Sequence, residues 1–86
     1  MNGDGDLFYN LRVVVRILGV SEKTVRSYHN AGLLAAYMVG HRLQFEENSL
    51  LDFLAAARTP KMTELEREAL RREMRSIRAS MGEAAA

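Results

Sequence analysis

With 86 residues, no cysteine and 12 Lys and Arg against 11 Asp and Glu, the chain has room for one small domain plus tails. Neither disulfides nor thiolate metal sites can brace it, and only roughly 60–65 % of its unfolded surface can be buried. No apolar run approaches the ~20 residues of a membrane span, and the opening MNGDGDLFYN is acidic and glycine-rich, unlike a targeting signal, so a cytoplasmic location is expected. A formal net charge of +1 is no argument for a nucleic-acid partner. Its distribution says more, because from Leu7 to Arg58 the cations Arg12, Arg16, Lys23, Arg26, Arg42 and Arg58 face only Glu22, Glu46, Glu47 and Asp52. That excess predicts modest non-specific affinity, aided by shape or by several copies acting together.

Residues 1–8 read as a flexible acidic head. Asn10 is a good N-cap ahead of Leu11, Val14, Val15 and Leu18, whose i, i+3, i+4, i+7 spacing predicts a helix over 11–18. Phe8 or Tyr9 is placed to act as its hydrophobic staple, and Gly19 ends it. Ser21 caps a second helix over 22–31, with Glu22 in the first turn against the helix dipole. Thr24 stands where a full capping box requires Glu or Gln, and Gly32 supplies the left-handed stop.

The stretch AAYMVGHRLQF reads as two strands joined at Gly40-His41, a two-residue turn with glycine first. That register sets Val39 opposite Arg42, Met38 opposite Leu43, Tyr37 opposite Gln44 and Ala36 opposite Phe45. Alternation then gives a wholly apolar face of Ala36, Met38, Leu43 and Phe45, predicted to be core, and a mixed face of Tyr37, Val39, Arg42 and Gln44. EENSLLDFLAAAR reads as a helix spaced by Leu50, Leu54 and Ala57, flanked by Leu51 and Phe53. Thr59-Pro60 breaks the chain, with Pro60 predicted at N1 of a last helix capped by Thr59. This helix, within 59–82, carries a stripe of Met62, Leu65, Ala69, Leu70, Met74, Ile77 and Met81, a Glu68–Arg72 pair at i, i+4, and acids early with arginines late. Residues 83–86 read as a frayed end.

The second helix divides by face. Val25 and Tyr28 point inward with Val20 and Leu33, while Lys23, Arg26, Ser27 and Asn30 repeat at helical spacing on the opposite side. Such a row of cations, hydroxyl and amide fits the DNA major groove, where Arg or Lys pairs with guanine and Asn with adenine. An ordinary solvated face is the competing explanation on periodicity alone.

From Tyr9 to Leu54 the chain resembles the winged helix-turn-helix family of phage excisionases and MerR-like regulators. The likeness is carried by LGVSEKTVRSYHNAGLL, then YMVGHRLQF, then LLDFL. It implies a mainly α fold with a small two-stranded wing over 9–58, followed by a C-terminal helix. The 22–31 helix would enter the major groove, with Lys23, Thr24, Arg26 and Ser27 as groove or phosphate contacts. The wing would reach the neighbouring minor groove or backbone through Arg42, with His41 beside it; Gln44 and Asn30 complete the expected contact set. Arg12 and Arg16, on the exposed side of the first helix, would touch flanking phosphates. Two features depart from the family pattern. Glu46 and Glu47 stand where basic residues often follow the second wing strand, so the base of the wing is expected to sit off the DNA. His29 borders the buried side and is expected to be partly packed, and Tyr28 is expected in the core.

The resemblance further implies an architectural factor that binds double-stranded DNA in several cooperative copies, bends attachment-site DNA and directs a phage integrase toward excision. A MerR-like dimeric transcriptional regulator, held together by the tail helix, is the alternative. A protein-interaction adaptor is a second. The tail stripe of Met62, Leu65, Leu70, Met74, Ile77 and Met81 is expected to contact another copy or a partner, because the domain before it reads as complete; folding back in cis is the other possibility. No catalytic residue, cofactor or metal is expected. His29 and His41 lie on different elements, no carboxylate pair shares an evident pocket, and no glycine-rich phosphate loop is present.

Overall fold

In the computed structural model, which describes residues 7–57 and 61–82, Asn10 caps α1 (Leu11–Leu18) by accepting a 3.0 Å hydrogen bond from the Val13 N–H. The helix buries Val13 and Val14 completely, with Leu11, Val15, Ile17 and Leu18 packed around them, so its inward face is centred between two adjacent valines. Gly19 ends it at φ 69°, a left-handed conformation that glycine adopts without penalty, and its N–H closes on the Val15 carbonyl at 2.9 Å. Ser21 then caps α2 (Glu22–Asn30) through a 3.1 Å bond from the Thr24 N–H. Thr24 cannot reach back to the cap backbone as Glu would; its hydroxyl meets the Ser21 hydroxyl at 2.9 Å instead. Ala31 is the C-cap, and the Leu33 N–H closes on the Tyr28 carbonyl at 2.9 Å, a Schellman-type ending.

The hairpin of β2 (Ala36–Val39) and β3 (Arg42–Glu46) has the register expected from its turn, with Gly40 at φ 65°. The sheet has three strands rather than two. β1 (Phe8–Asn10) pairs antiparallel with β3, giving the order β1-β3-β2. Phe8 and Tyr9 are therefore strand residues, with Tyr9, just before the Asn10 cap, buried in one cluster with Val14 of α1, and the ordered unit begins before Tyr9. The rest of the expected flexible head, residues 1–6, lies outside the described residues.

Tyr9 and Phe45 are register partners and both fully buried. The apolar hairpin face is core only at its base, since Met38 toward the turn is 64 % exposed.

α3 (Glu47–Ala56) buries Leu50 and Leu51, whereas Ala57 is exposed. α4 (Glu64–Ser80) starts later than Pro60. Thr63 is its N-cap, and a complete capping box joins Thr63 and Glu66: the Glu66 N–H donates to the Thr63 hydroxyl at 3.1 Å and the Thr63 N–H to the Glu66 carboxylate at 2.9 Å. Residues 61–63 are not helical, and Thr59 and Pro60 lie outside the described residues. Glu68 pairs with Arg71, three residues on, where spacing suggests Arg72.

The tail stripe corrects the largest expectation. α4 packs across α1 and α3, and Met74 is fully buried in one cluster with Tyr9, Val13, Val14, Val25, Leu34, Phe45, Leu50 and Leu51. Leu70, Ile77 and Met81 pack against that cluster and Met62 is half-buried; Leu65 alone of the six is exposed, at 80 %. The domain over 9–58 is incomplete by itself, and its missing wall is α4. Most of the stripe packs in cis against this chain's own core, the alternative to contact with another copy or a partner.

A buried charge cluster locks the helix in place. Glu47 is fully buried; it accepts from the Tyr9 hydroxyl at 2.7 Å and from Arg75 Nε and Nη2 at 2.8 Å each, with Arg71 Nε at 3.3 Å. Arg67 adds a 2.8 Å bond to Asp52, and the Arg78 guanidinium lies over the Tyr9 ring at 5.9 Å. Glu47 thus faces inward and presents no charge to a phosphate, which overturns the repulsive role expected of it; only Glu46, half-buried, remains at the base of the wing.

Burial pushes the Glu47 carboxyl up, but bonds from Arg75 and Tyr9 and the charges of Arg75 and Arg71 outweigh this and hold it below the ordinary carboxylate range. Burial first, then the Glu47 bond and charge, push the Tyr9 phenol up, so it stays a donor. A carboxylate lowered in the fold stabilises fully above its unfolded pKa of about 4.3 and loses that contribution as pH falls through the folded value. The melting temperature should therefore drop as pH is lowered below about 4, and Glu47→Gln should flatten that dependence while melting lower at neutral pH. Circular-dichroism melts across pH check this.

Candidate nucleic-acid interface

Val25, fully buried, turns α2 so that Lys23, Arg26, Ser27 and Asn30 lie exposed on its outer side. Behind it, Tyr28 meets the Phe53 ring at 5.0 Å and His29 bonds the Leu34 backbone oxygen through Nδ1 at 2.9 Å, with its ring edge toward Phe45. Both are scaffold residues: they hold the inner side of α2 so that its outer side is free for recognition. The tight turn at Gly40 starts β3 at Arg42, leaving His41 and Arg42 exposed at the end of the sheet.

These elements converge. Arg12 of α1, Glu22 and Arg26 of α2, and His41 and Arg42 of the hairpin line one concavity of about 280 Å³, together with Asn10, Leu11 and Leu43. A second concavity of about 260 Å³ shares Arg12 and Glu22 with the first and adds Val15, Arg16 and Met81. The result is a cationic groove from the hairpin turn along α1 toward the end of α4. Cations gathered on one groove can neutralise several phosphates of a duplex at once.

The structure therefore brings together Arg12, Arg26, His41 and Arg42, with Arg16 adjoining. Lys23, Ser27 and Asn30 are exposed on α2 but do not line the groove, so of the three cations Lys23, Arg26 and Arg42 only the two arginines share it. Thr24 is half-buried with its hydroxyl engaged by Ser21. Gln44 is half-buried in the central strand, opposite Asn10 and Tyr37, away from the hairpin turn. Glu22 is a site residue that sequence reasoning misses, since its place in the first turn marks it only as a partner of the helix dipole. Its carboxylate lies 3.8 Å from Arg26 Nε, and the i, i+4 spacing of the two in the sequence carries that signal.

Among the described residues no group of three His, Cys, Asp or Glu side chains could hold a metal, and no helix is long and apolar enough to cross a membrane. Comparison with curated proteins and with solved structures found no match. A family model described as a helix-turn-helix domain matches residues 8–58, from β1 through α3, and that family includes excisionase-like DNA-binding proteins. With more than half of its length matched, and with two capped helices, a hairpin and a cationic groove between them, the chain belongs to the helix-turn-helix domain family and is a DNA-binding protein.

Proposed function

We propose that this protein is a recombination directionality factor, which binds attachment-site duplex DNA in several copies, bends it and directs a phage integrase toward excision. In this reading α2 lies in the major groove, with Lys23, Arg26, Ser27 and Asn30 toward base edges or phosphates. The hairpin follows the adjacent backbone through His41 and Arg42, and Arg12 and Arg16 hold flanking phosphates. The role is one of binding and shaping DNA in the cytoplasm, without catalysis.

The carrying observation is the convergence of Arg12, Arg26, His41 and Arg42 on one groove. The packing of α4 favours the architectural reading over the MerR-like one. A dimeric regulator held by its tail helix needs that helix free, whereas here Met74 is fully buried in the chain's own core. Bending a site by 40–90° costs roughly 1–6 kcal/mol, which contacts by neighbouring copies can offset.

Mobility shifts on attachment-site DNA test the reading, with energy transfer between dyes at the duplex ends. Evenly spaced shifted bands with shortened end-to-end distance are expected. One dimer band on half-sites about one helical turn apart indicates the regulator instead. No shift at low salt indicates the adaptor.

A further inference from the structure

Glu22 is the one acidic residue lining either concavity among the described residues, and it lines both. Around it stand Arg12, Arg16, Arg26, His41 and Arg42. Its carboxylate faces Arg26 across 3.8 Å, with the two side chains 60 % and 53 % exposed. An acid four residues before a base is the favourable order on a helix, yet an exposed pair of this kind adds little to stability. The Ser21 cap already secures the start of α2. A carboxylate in the middle of the cationic groove thus stabilises the fold only weakly, through the helix dipole and this exposed pair, and does not help phosphate binding.

We infer that Glu22 is a built-in competitor for DNA phosphate, holding Arg26 in the free protein and limiting affinity for arbitrary duplex. This rests on the DNA-binding reading and adds a residue that lowers the groove's affinity for duplex DNA in general, so that phosphate contacts alone hold it weakly. A phosphate entering the groove must displace the carboxylate from Arg26 and then lie beside it. That penalty applies to every duplex alike. Only a site that adds base-edge contacts from α2 overcomes it, because non-specific binding is driven by phosphate alone. Two other roles for Glu22 make the opposite forecast. If it oriented Arg26 for recognition, or accepted a hydrogen bond from a cytosine amino group, its removal would weaken binding.

The experiment compares the parent, Glu22→Gln, Arg26→Ala and the double variant on a mixed-sequence duplex of about 30 base pairs, from about 50 to 200 mM salt. Glutamine keeps the size of the side chain, and matched thermal melts establish that the fold is unchanged. Glu22→Gln is expected to bind about tenfold tighter at the lowest salt, with a log–log salt slope steeper by about 0.9, one additional phosphate neutralised. In the Arg26→Ala background the gain should shrink to about twofold or less, because the competed group is gone. Unchanged or weaker binding by Glu22→Gln, beside a normal parent shift, overturns the inference alone; so does an equal gain without Arg26. A parent that binds no duplex at the lowest salt overturns the DNA reading and this inference together.

Discussion

Ending the chain after residue 60, which removes α4, is expected to abolish cooperative folding. The loss follows from what α4 carries. Met74 is fully buried in the core, and removing such a side chain costs about 2–5 kcal/mol. Arg75 and Arg71 leave with it, so Glu47 loses both cationic partners and keeps the Tyr9 hydroxyl bond. Breaking a buried ion pair from one side costs up to about 3–5 kcal/mol, and less as the freed carboxylate gains water. At roughly 0.05–0.15 kcal/mol per residue, a domain of this length has a margin of about 4–13 kcal/mol, so the two losses are of the same size as the margin itself. Circular dichroism checks this: the truncated chain should show weak helicity and no sharp melt. A truncated chain that still melts within a few degrees of the parent would mean that α4 is peripheral, and its stripe would then be free for a partner.

The paired substitution Arg26→Ala with Arg42→Ala should reduce affinity for duplex DNA by about a hundredfold or more while leaving the melt nearly unchanged. Both guanidiniums line the same groove and neither supports the core. A hydrogen bond to a charged group contributes about 1.5–3 kcal/mol, and two of them set the scale of the loss. Arg26 also has an exposed partner in Glu22, which becomes idle when it goes; surface pairs of that kind add at most about 1 kcal/mol to stability, hence the unchanged melt. Arg42 sits in the first position of β3, where its backbone pairs with Val39 whatever its side chain. Fluorescence anisotropy with a labelled duplex measures the affinities, and each single variant should lie between parent and pair.

Most of the local structure is legible in the residues themselves. Asn10, Ser21, Gly19 and Gly32 bound α1 and α2 to within a residue, because caps and left-handed stops act locally. Gly40-His41 set the hairpin register for the same reason. What escapes is non-local. β1 is three residues long, too short for alternation to show, and it exists because Phe8, Tyr9 and Asn10 find β3 some 35 residues later. The start of α4 is misplaced in the sequence because Pro60 outweighs the capping-box signature of Thr63 and Glu66 standing just after it.

The same limit governs charge. Glu47 reads as a surface acid beside Glu46, and only the packing of α4 shows that Arg71 and Arg75 neutralise it in the interior. In the groove, the arginines are identifiable one at a time from helical faces and turn position. Their convergence around Glu22 depends on how α1, α2 and the hairpin meet, which no local pattern encodes.

The most direct measurement is the salt dependence of duplex binding by the parent and by the Arg26→Ala, Arg42→Ala pair. If this groove holds DNA, the parent's affinity falls linearly on a log–log plot, and the pair's slope is shallower by roughly 0.9 for each phosphate that the protein no longer neutralises. Equal slopes and equal affinities for the two proteins would place the DNA elsewhere on the molecule and contradict the assignment of α2 and the hairpin as the binding face.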